Sequence, residues 1–288
     1  VFTPLRNEEK LSGYKEGYII ITGIWLIMSL FGTLPYLMTG TIKHFTDAFF
    51  ESVSGFTTTG ATILNNIDIM PKGILFWRSI TQLLGGLGFI LISLSLIPVV
   101  RSINVQLTLI DFTGQSTDKI NPRTSGTAKR LITLFTLFTL AEALLLTISG
   151  MPLFDAVCNS FTTMSTGGFT TGDYSMSSLG SPLILIIMTL FMFIAGTNMT
   201  HIYFATKSDF RKAFGNHEFI IYAVTCLLFA IIVSGALLIK PDITAGRAFL
   251  EGTFQVVSII TTTGFYHSDF NMWGNFLILI LFILMFTG

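Results

Sequence analysis

The tetrapeptide Thr57-Thr58-Thr59-Gly60 returns twice in close variants, as Ser165-Thr166-Gly167-Gly168 and as Thr261-Thr262-Thr263-Gly264. Counted back from the last glycine of each copy, an acidic residue stands thirteen positions earlier, at Asp47, Asp155 and Glu251. A small residue follows it, at Ala48, Ala156 and Gly252. Polar residues stand nine positions back, at Glu51, Asn159 and Gln255, and six back, at Ser54, Thr162 and Ser258. The alignment needs no gap. One unit copied three times dictates that each copy folds alike and needs similar neighbours.

Those neighbours are apolar. The 288 residues are 51% hydrophobic and 11% charged, with a mean hydropathy of +0.72, which places the chain among integral membrane proteins. Net charge is zero, and no basic run is interleaved with aromatics, so nothing favours a nucleic-acid partner. Cys158 and Cys226 each sit in an apolar segment with no paired spacing and read as small buried hydrophobes. His44, His201, His217 and His267 lack metal-ligand spacing, and no nucleophile–base constellation is visible, so the chain does not read as an enzyme.

In chain order, a polar leader at 1–17 precedes a first span at 18–38. A segment at 47–56 follows. Ten residues at 1.5 Å each fall far short of a hydrocarbon layer of about 30 Å, so this piece reads as a re-entrant helix. Asp47 is expected at its first turn, complementing the helix dipole and accepting orphan N–H groups. A second span at 74–100 closes the unit. The pattern repeats with a span at 131–153, a short helix at 155–164 and a span at 183–206. It begins a third time with a span at 219–239, a short helix at 251–260 and an apolar run at 273–288. Links at 101–130 and 207–218 separate three pore units, at 18–100, 131–206 and 219–288. The chain opens without Met and stops within an apolar run, so the sequence reads as part of a longer protein.

With the amino terminus inside, the leader and the two links carry eleven of the sixteen Lys and Arg residues. The positive-inside rule then sends all three short helices in from the outer face.

Irregular backbone at bilayer depth is tolerated only where protein buries it or where it lines a water-filled path. A threonine-rich turn ending in glycine suits the second case. Carbonyls turned inward can replace the hydration shell of a monovalent cation, and threonine hydroxyls add further oxygens. Each short helix aims its negative end at the same point. The pairs Glu51/Ser54, Asn159/Thr162 and Gln255/Ser258 lie three apart on one helical face and are expected to hold the back of each turn.

These residues carry a resemblance. Segments 51–62 (ESVSGFTTTGAT), 76–88 (FWRSITQLLGGLG), 160–171 (SFTTMSTGGFTT) and 258–265 (SIITTTGF) resemble the Trk/Ktr/HKT family of potassium transporters, in particular its TrkH type of bacterial membrane subunit. The resemblance implies an all-α integral membrane fold of four potassium-channel-like span–pore helix–span units, three of them present here. It implies potassium as the ion and a filter formed by Thr57–Gly60, Ser165–Gly168 and Thr261–Gly264. It further implies no covalent cofactor, location in the bacterial cytoplasmic (inner) membrane among its lipids, homodimerisation and a cytosolic nucleotide-binding regulatory subunit. A coupled secondary cation transporter, or an accessory membrane subunit if the chain is complete, remain alternative readings.

Other features carry less. Gly85, Gly86 and Gly88 lie inside a span and indicate close helix packing. Glu142, a carboxylate within a span, is a functional candidate by its position. Arg78 reads either as an interfacial anchor or as a brace for the filter loop. Gly196, Thr197 and Asn198 interrupt a span and suggest a kink.

Two glycines compete in the second copy, and only Gly168 keeps the thirteen-residue spacing to the acid. Gly168 is therefore assigned to the level of Gly60 and Gly264, with Gly167 in the place of Thr59 and Thr263. Gly168→Ser is expected to harm potassium-over-sodium discrimination more than Gly167→Ser in a vesicle flux assay.

Overall fold

The computed structural model describes residues 9–102, 124–172, 181–198, 201–202, 214–240 and 243–288. Every regular element among them is helical. The first unit comprises α1 (Glu9–Gly32), α2 (Leu34–Met38), α3 (Phe45–Phe56), a 3₁₀ turn at Ile67–Ile69 and α4 (Lys72–Ser102). The second comprises α5 (Thr124–Ile148), α6 (Leu153–Met164) and α7 (Pro182–Ala195). The third comprises α8 (His217–Leu237), α9 (Ala245–Ile260), a 3₁₀ turn at Phe270–Trp273 and α10 (Asn275–Leu284).

Among the described residues, four stretches are long and apolar enough to cross a membrane: Ile19–Met38, Lys72–Ile92, Ala128–Ile148 and His217–Leu237. Their outer faces are apolar. Leu137, Leu140 and Leu144 line one exposed stripe of α5, and Ile221, Val224 and Leu228 one of α8, at the three- and four-residue spacing of a single helix face. Polar side chains gather on the inside, where Glu51, Arg78, Gln82, Thr162, Gln255 and Ser258 are all buried. This inverts the soluble pattern, as an apolar solvent requires.

The units pack in sequence order. The second long helix of one unit lies on the short helix of the next, α4 on α6 and α7 on α9. Within each unit the first long helix also lies on the short one, α1 on α3, α5 on α6 and α8 on α9.

Several boundaries differ from the sequence reading. All three short helices end where the repeat placed them, at Phe56, Met164 and Ile260, but α3 and α6 begin at Phe45 and Leu153, and α9 begins at Ala245. Asp47 and Asp155 therefore sit in first turns, while Glu251 does not. Strong helix formers at Ala245, Arg247 and Ala248 carry α9 back to Thr244, and Glu251 lies well inside it, paired with Arg247. None of the three helices has a side-chain cap at its N-cap residue. The first span is carried by two helices, because Pro35 near the start of α2 has no N–H to continue the ladder of α1.

The expected span at 183–206 does not run through. α7 stops at Ala195, capped by Gly196, after about 21 Å at 1.5 Å per residue. In the third unit the apolar run at 273–288 holds only the ten residues of α10 as α-helix. The two links are largely outside the described residues, although α4 and α5 take both edges of the 101–130 link into helix.

Close packing of α4 is specific. A Cβ at Gly85 would stand 2.1 Å from the Phe56 carbonyl oxygen, whereas one at Gly73 would meet nothing within 4 Å. Gly85→Ala is expected to cost about 1–3 kcal/mol by overpacking, read as a lowered Tm in detergent, with Gly73→Ala close to unchanged.

Candidate functional site

The three short helices terminate by the same hydrogen bonds. The N–H groups of Thr58, Thr166 and Thr262 donate to the carbonyls of Gly55 (3.1 Å), Thr163 (2.9 Å) and Ile259 (3.0 Å). Those of Thr59, Gly167 and Thr263 reach back to Ser54 (3.0 Å), Thr162 (2.8 Å) and Ser258 (2.9 Å). This is Schellman closure, which demands a left-handed residue just past the cap. Glycine usually takes that place. Here it falls to threonines, with φ of 55° at Thr58, 51° at Thr166 and 57° at Thr262. A left-handed β-branched residue costs on the order of 1–2 kcal/mol. Gly60, Gly168 and Gly264 are left-handed again, with φ of 75°, 74° and 81°.

The intervening residue, Thr59, Gly167 or Thr263, has no positive φ. The N–H groups of the first two residues past each cap are thus taken up by the helix end. The matching dihedrals also fix the register: Gly168 corresponds to Gly60 and Gly264, and Gly167 to Thr59 and Thr263.

The turns abut in series through equivalent atoms. A Cβ at Gly60 would lie 1.9 Å from the Gly167 carbonyl oxygen, and one at Gly168 would lie 1.9 Å from the Thr263 carbonyl oxygen. Behind them, Gly86 of α4 meets Ser165, and Gly196 after α7 meets Thr261; a Cβ added at either glycine would stand 3.0 Å from the neighbour's own Cβ. The series is open at both ends. A Cβ at Gly264 would meet nothing within 4 Å. Thr57 and Thr59 are exposed, whereas Ser165, Gly167, Thr261 and Thr263 are buried. The three turns thus abut in a row, the first on the second and the second on the third.

Hydroxyls reinforce the turns. Thr57 and Thr59 share a 2.8 Å hydrogen bond through their Oγ1 atoms, as do Thr261 and Thr263 at 2.8 Å. Ser165 Oγ donates to the Phe161 carbonyl at 2.8 Å, but its turn has glycine at 167 and lacks the second hydroxyl.

A polar clasp joins the first two units. Arg78, 1% exposed, donates through Nε to Glu51 Oε1 at 2.9 Å, through Nη1 to the Thr170 carbonyl at 3.2 Å and through Nη2 to Thr62 Oγ1 at 3.2 Å. Its guanidinium carbon stands 4.2 Å from the centre of the Phe169 ring. Glu51 also accepts from Thr62 Oγ1 at 2.9 Å and from the Ile63 N–H at 3.2 Å. A buried ion pair is tolerable when its remaining donors and acceptors are filled in this way. Arg78 is therefore a brace rather than an interfacial anchor.

The expected polar pairs do not act alike. Glu51 holds the segment after the first turn, and Ser258 Oγ donates to the Phe265 carbonyl at 2.6 Å. Thr162 Oγ1 bonds within its helix, to the Asn159 carbonyl at 3.0 Å. Asn159 donates to Met151 Sδ at 3.6 Å. Ser54 Oγ and Asn159 Oδ1 have no hydrogen bond among the described residues, and Gln255 is buried in α9. The second turn is instead held across the unit boundary by Gln82, which donates through Nε2 to the Gly167 carbonyl at 2.8 Å and accepts from the Phe169 N–H at 3.2 Å. The sequence reading did not single out Gln82. Its only signal was an uncharged amide within an apolar span.

Two side features complete the site. Glu142 is fully buried in α5, with neither carboxylate oxygen hydrogen-bonded among the described residues. Cys158 and Cys226 are free and buried, and burial pushes the Cys158 thiol up to about 11, which keeps it protonated and unreactive.

Comparison with known proteins points to one family. A family profile described as TrkH, cation transport protein, matches residues 4–213. The chain is 35% identical over 289 aligned residues to the Trk system potassium uptake protein TrkH of Salmonella typhimurium, covering 99% of this chain and 60% of that protein. The protein of the same name from Escherichia coli is 36% identical, with the same coverage of 99% and 60%. Among solved structures, the crystal structure of the potassium transporter TrkH from Vibrio parahaemolyticus superposes with a TM-score of 0.81 at 32% identity, over 93% of this chain and 55% of that one. The chain thus spans about 60% of the length of these curated relatives.

Removing one partner of the buried pair strands the other. Arg78→Ala is expected to destabilise the protein by about 3–5 kcal/mol. Replacing both charges, with Arg78→Met and Glu51→Gln together, should cost less than the sum of the single changes. Thermal unfolding in detergent of the two singles and the double checks this.

Proposed function

The chain belongs to the TrkH family of cation transport proteins, and from that premise we propose that it forms three sides of a potassium pathway across the bacterial cytoplasmic membrane. The segments Thr57–Gly60, Ser165–Gly168 and Thr261–Gly264 act as its selectivity filter. α3, α6 and α9 are the re-entrant pore helices, entering from the outer face. The observation that carries this reading is the triple recurrence of one strained backbone, abutting in series through the same atoms.

The chemistry follows from that backbone. Carbonyls released from the helix ends offer a desolvated cation oxygen ligands in place of water. Each pore helix adds a partial negative charge of about half an electron at its carboxyl end, and three such ends converge. The left-handed threonines hold the carbonyls in place before an ion arrives, so little reorganisation accompanies binding. A fourth unit fills the open side between Gly264 and Thr57. Since the chain covers about 60% of the length of the relatives, that unit belongs to a part of the protein beyond these residues. On the family resemblance, the protein works as a homodimer with a cytosolic nucleotide-binding regulatory subunit.

The test is ion flux in vesicles reconstituted with the intact protein. Gly60→Ser places a Cβ against a backbone oxygen and forces an L side chain into φ of 75°. It is expected to raise sodium permeability relative to potassium roughly tenfold, equivalent to about 1.4 kcal/mol of lost discrimination. Gly264→Ser should shift the ratio in the same direction. An unchanged ratio in both variants would remove the filter assignment.

A further inference from the structure

The filter is asymmetric, and the asymmetry has a structural source. Two junctions between units can be superposed on their contacts: Gly86 meets Ser165 at the first, and Gly196 meets Thr261 at the second. Four residues before these glycines stand Gln82 and Met192. Both are fully buried. Gln82 meets Gly167, the middle position of the next unit's turn; the middle position of the third turn is Thr263. At the first junction an amide therefore faces a glycine, while the second junction carries a thioether on its helix and a threonine in its turn.

A side chain at 167 conflicts with Gln82 in its present conformation. A Cβ at Gly167 would lie 2.3 Å from the Gln82 amide carbon and 2.4 Å from its oxygen, so a threonine there has no room while Gln82 is in place. The glycine in turn lets the amide reach the turn's backbone, with Nε2 on the Gly167 carbonyl at 2.8 Å and Oε1 on the Phe169 N–H at 3.2 Å. Methionine at 192 has no N–H to donate. There the Thr263 hydroxyl is tied within its own turn, at 2.8 Å from Thr261 Oγ1.

We infer that Gln82 is a positioning residue for the filter turn of the second unit, where its amide takes over the role that threonine plays at the middle position of the other two turns. Gln82 bonds the backbone on either side of Gly168, fixing that glycine from two neighbours. It also draws on the Gly167 carbonyl, so this oxygen is a weaker cation ligand than those of Thr59 and Thr263. The filter then holds an ion off-centre, away from the second unit. This inference rests on the filter reading above and concerns ion selectivity at that same site.

The test uses the intact protein in vesicles, with potassium and sodium as the probe ions, and detergent melting in parallel. Gln82→Met copies the second junction on one side, Gly167→Thr copies it on the other, and the double variant installs the whole methionine–threonine pairing. Gln82→Met is expected to raise sodium permeability relative to potassium roughly two- to tenfold, the span of a single neutral hydrogen bond. Gln82→Glu, which keeps the acceptor for Phe169 and loses the donor for Gly167, should shift the ratio the same way. Gly167→Thr alone should lose most flux and folded yield, and the double variant should recover the larger part of both. Failure of the single variants to fold, with recovery in the double, supports the pairing as well. Two results overturn it: a sodium-to-potassium ratio unchanged in folded Gln82→Met and Gln82→Glu, or a double variant no better than Gly167→Thr. Gly60→Ser separates the two levels of argument. If it raises the ratio while the Gln82 variants do not, the inference on Gln82 fails and the filter stands; if it and Gly264→Ser too leave the ratio unchanged, the filter reading itself fails.

Discussion

A helix that ends inside a protein surrounded by apolar solvent cannot rely on bulk water for its last backbone groups and must satisfy them locally. The three short helices meet this demand by folding the following N–H groups back onto their final carbonyls. Closure of that kind needs a left-handed residue, and here it is threonine three times over. Once those N–H groups are spent on the helix, the turn's carbonyls need partners elsewhere, as the Gly167 carbonyl finds in Gln82. The strain in each turn thus originates in the closing of its helix.

Strained turns persist only where their surroundings over-determine them, and the packing supplies this unequally. The second turn is enclosed between its neighbours and gripped by Gln82 and, just beyond it, by Arg78. The first is braced from behind through Glu51, and the third through Ser258. Most of the bracing polar groups lie on α4 or bond to it, so this helix organises two units at once. α7 plays the corresponding spatial role at the next junction with apolar side chains, including Met188 and Met192, both fully buried. The repeat is thus symmetric in backbone and uneven in chemistry.

Much of this was legible because the repeat is gapless. The ends of α3, α6 and α9 and the choice of Gly168 over Gly167 followed from spacing alone, since a one-residue slip would rotate a short helix by about 100° and break its match to the other copies. Helix starts were less legible. Nothing in the acid at thirteen residues before the glycine dictates where the first turn forms, so α9 could extend back to Ala245. The stop at Ala195 was foreshadowed by Gly196, Thr197 and Asn198, but hydropathy averaged over the run concealed a break of the helix.

Local sequence determined what recurs at short range: three helix–turn units, their register and the apolar faces of the long helices, because each depends on residues within a few turns of one another. Tertiary structure alone decided what crosses between units. That Gln82 would meet Gly167, 85 residues away, or that Arg78 would reach Thr170, 92 residues away, depends on how α4 lies against α6. A single side chain in an apolar helix does not encode its partner; the partner is set by which face the packing of whole helices turns inward.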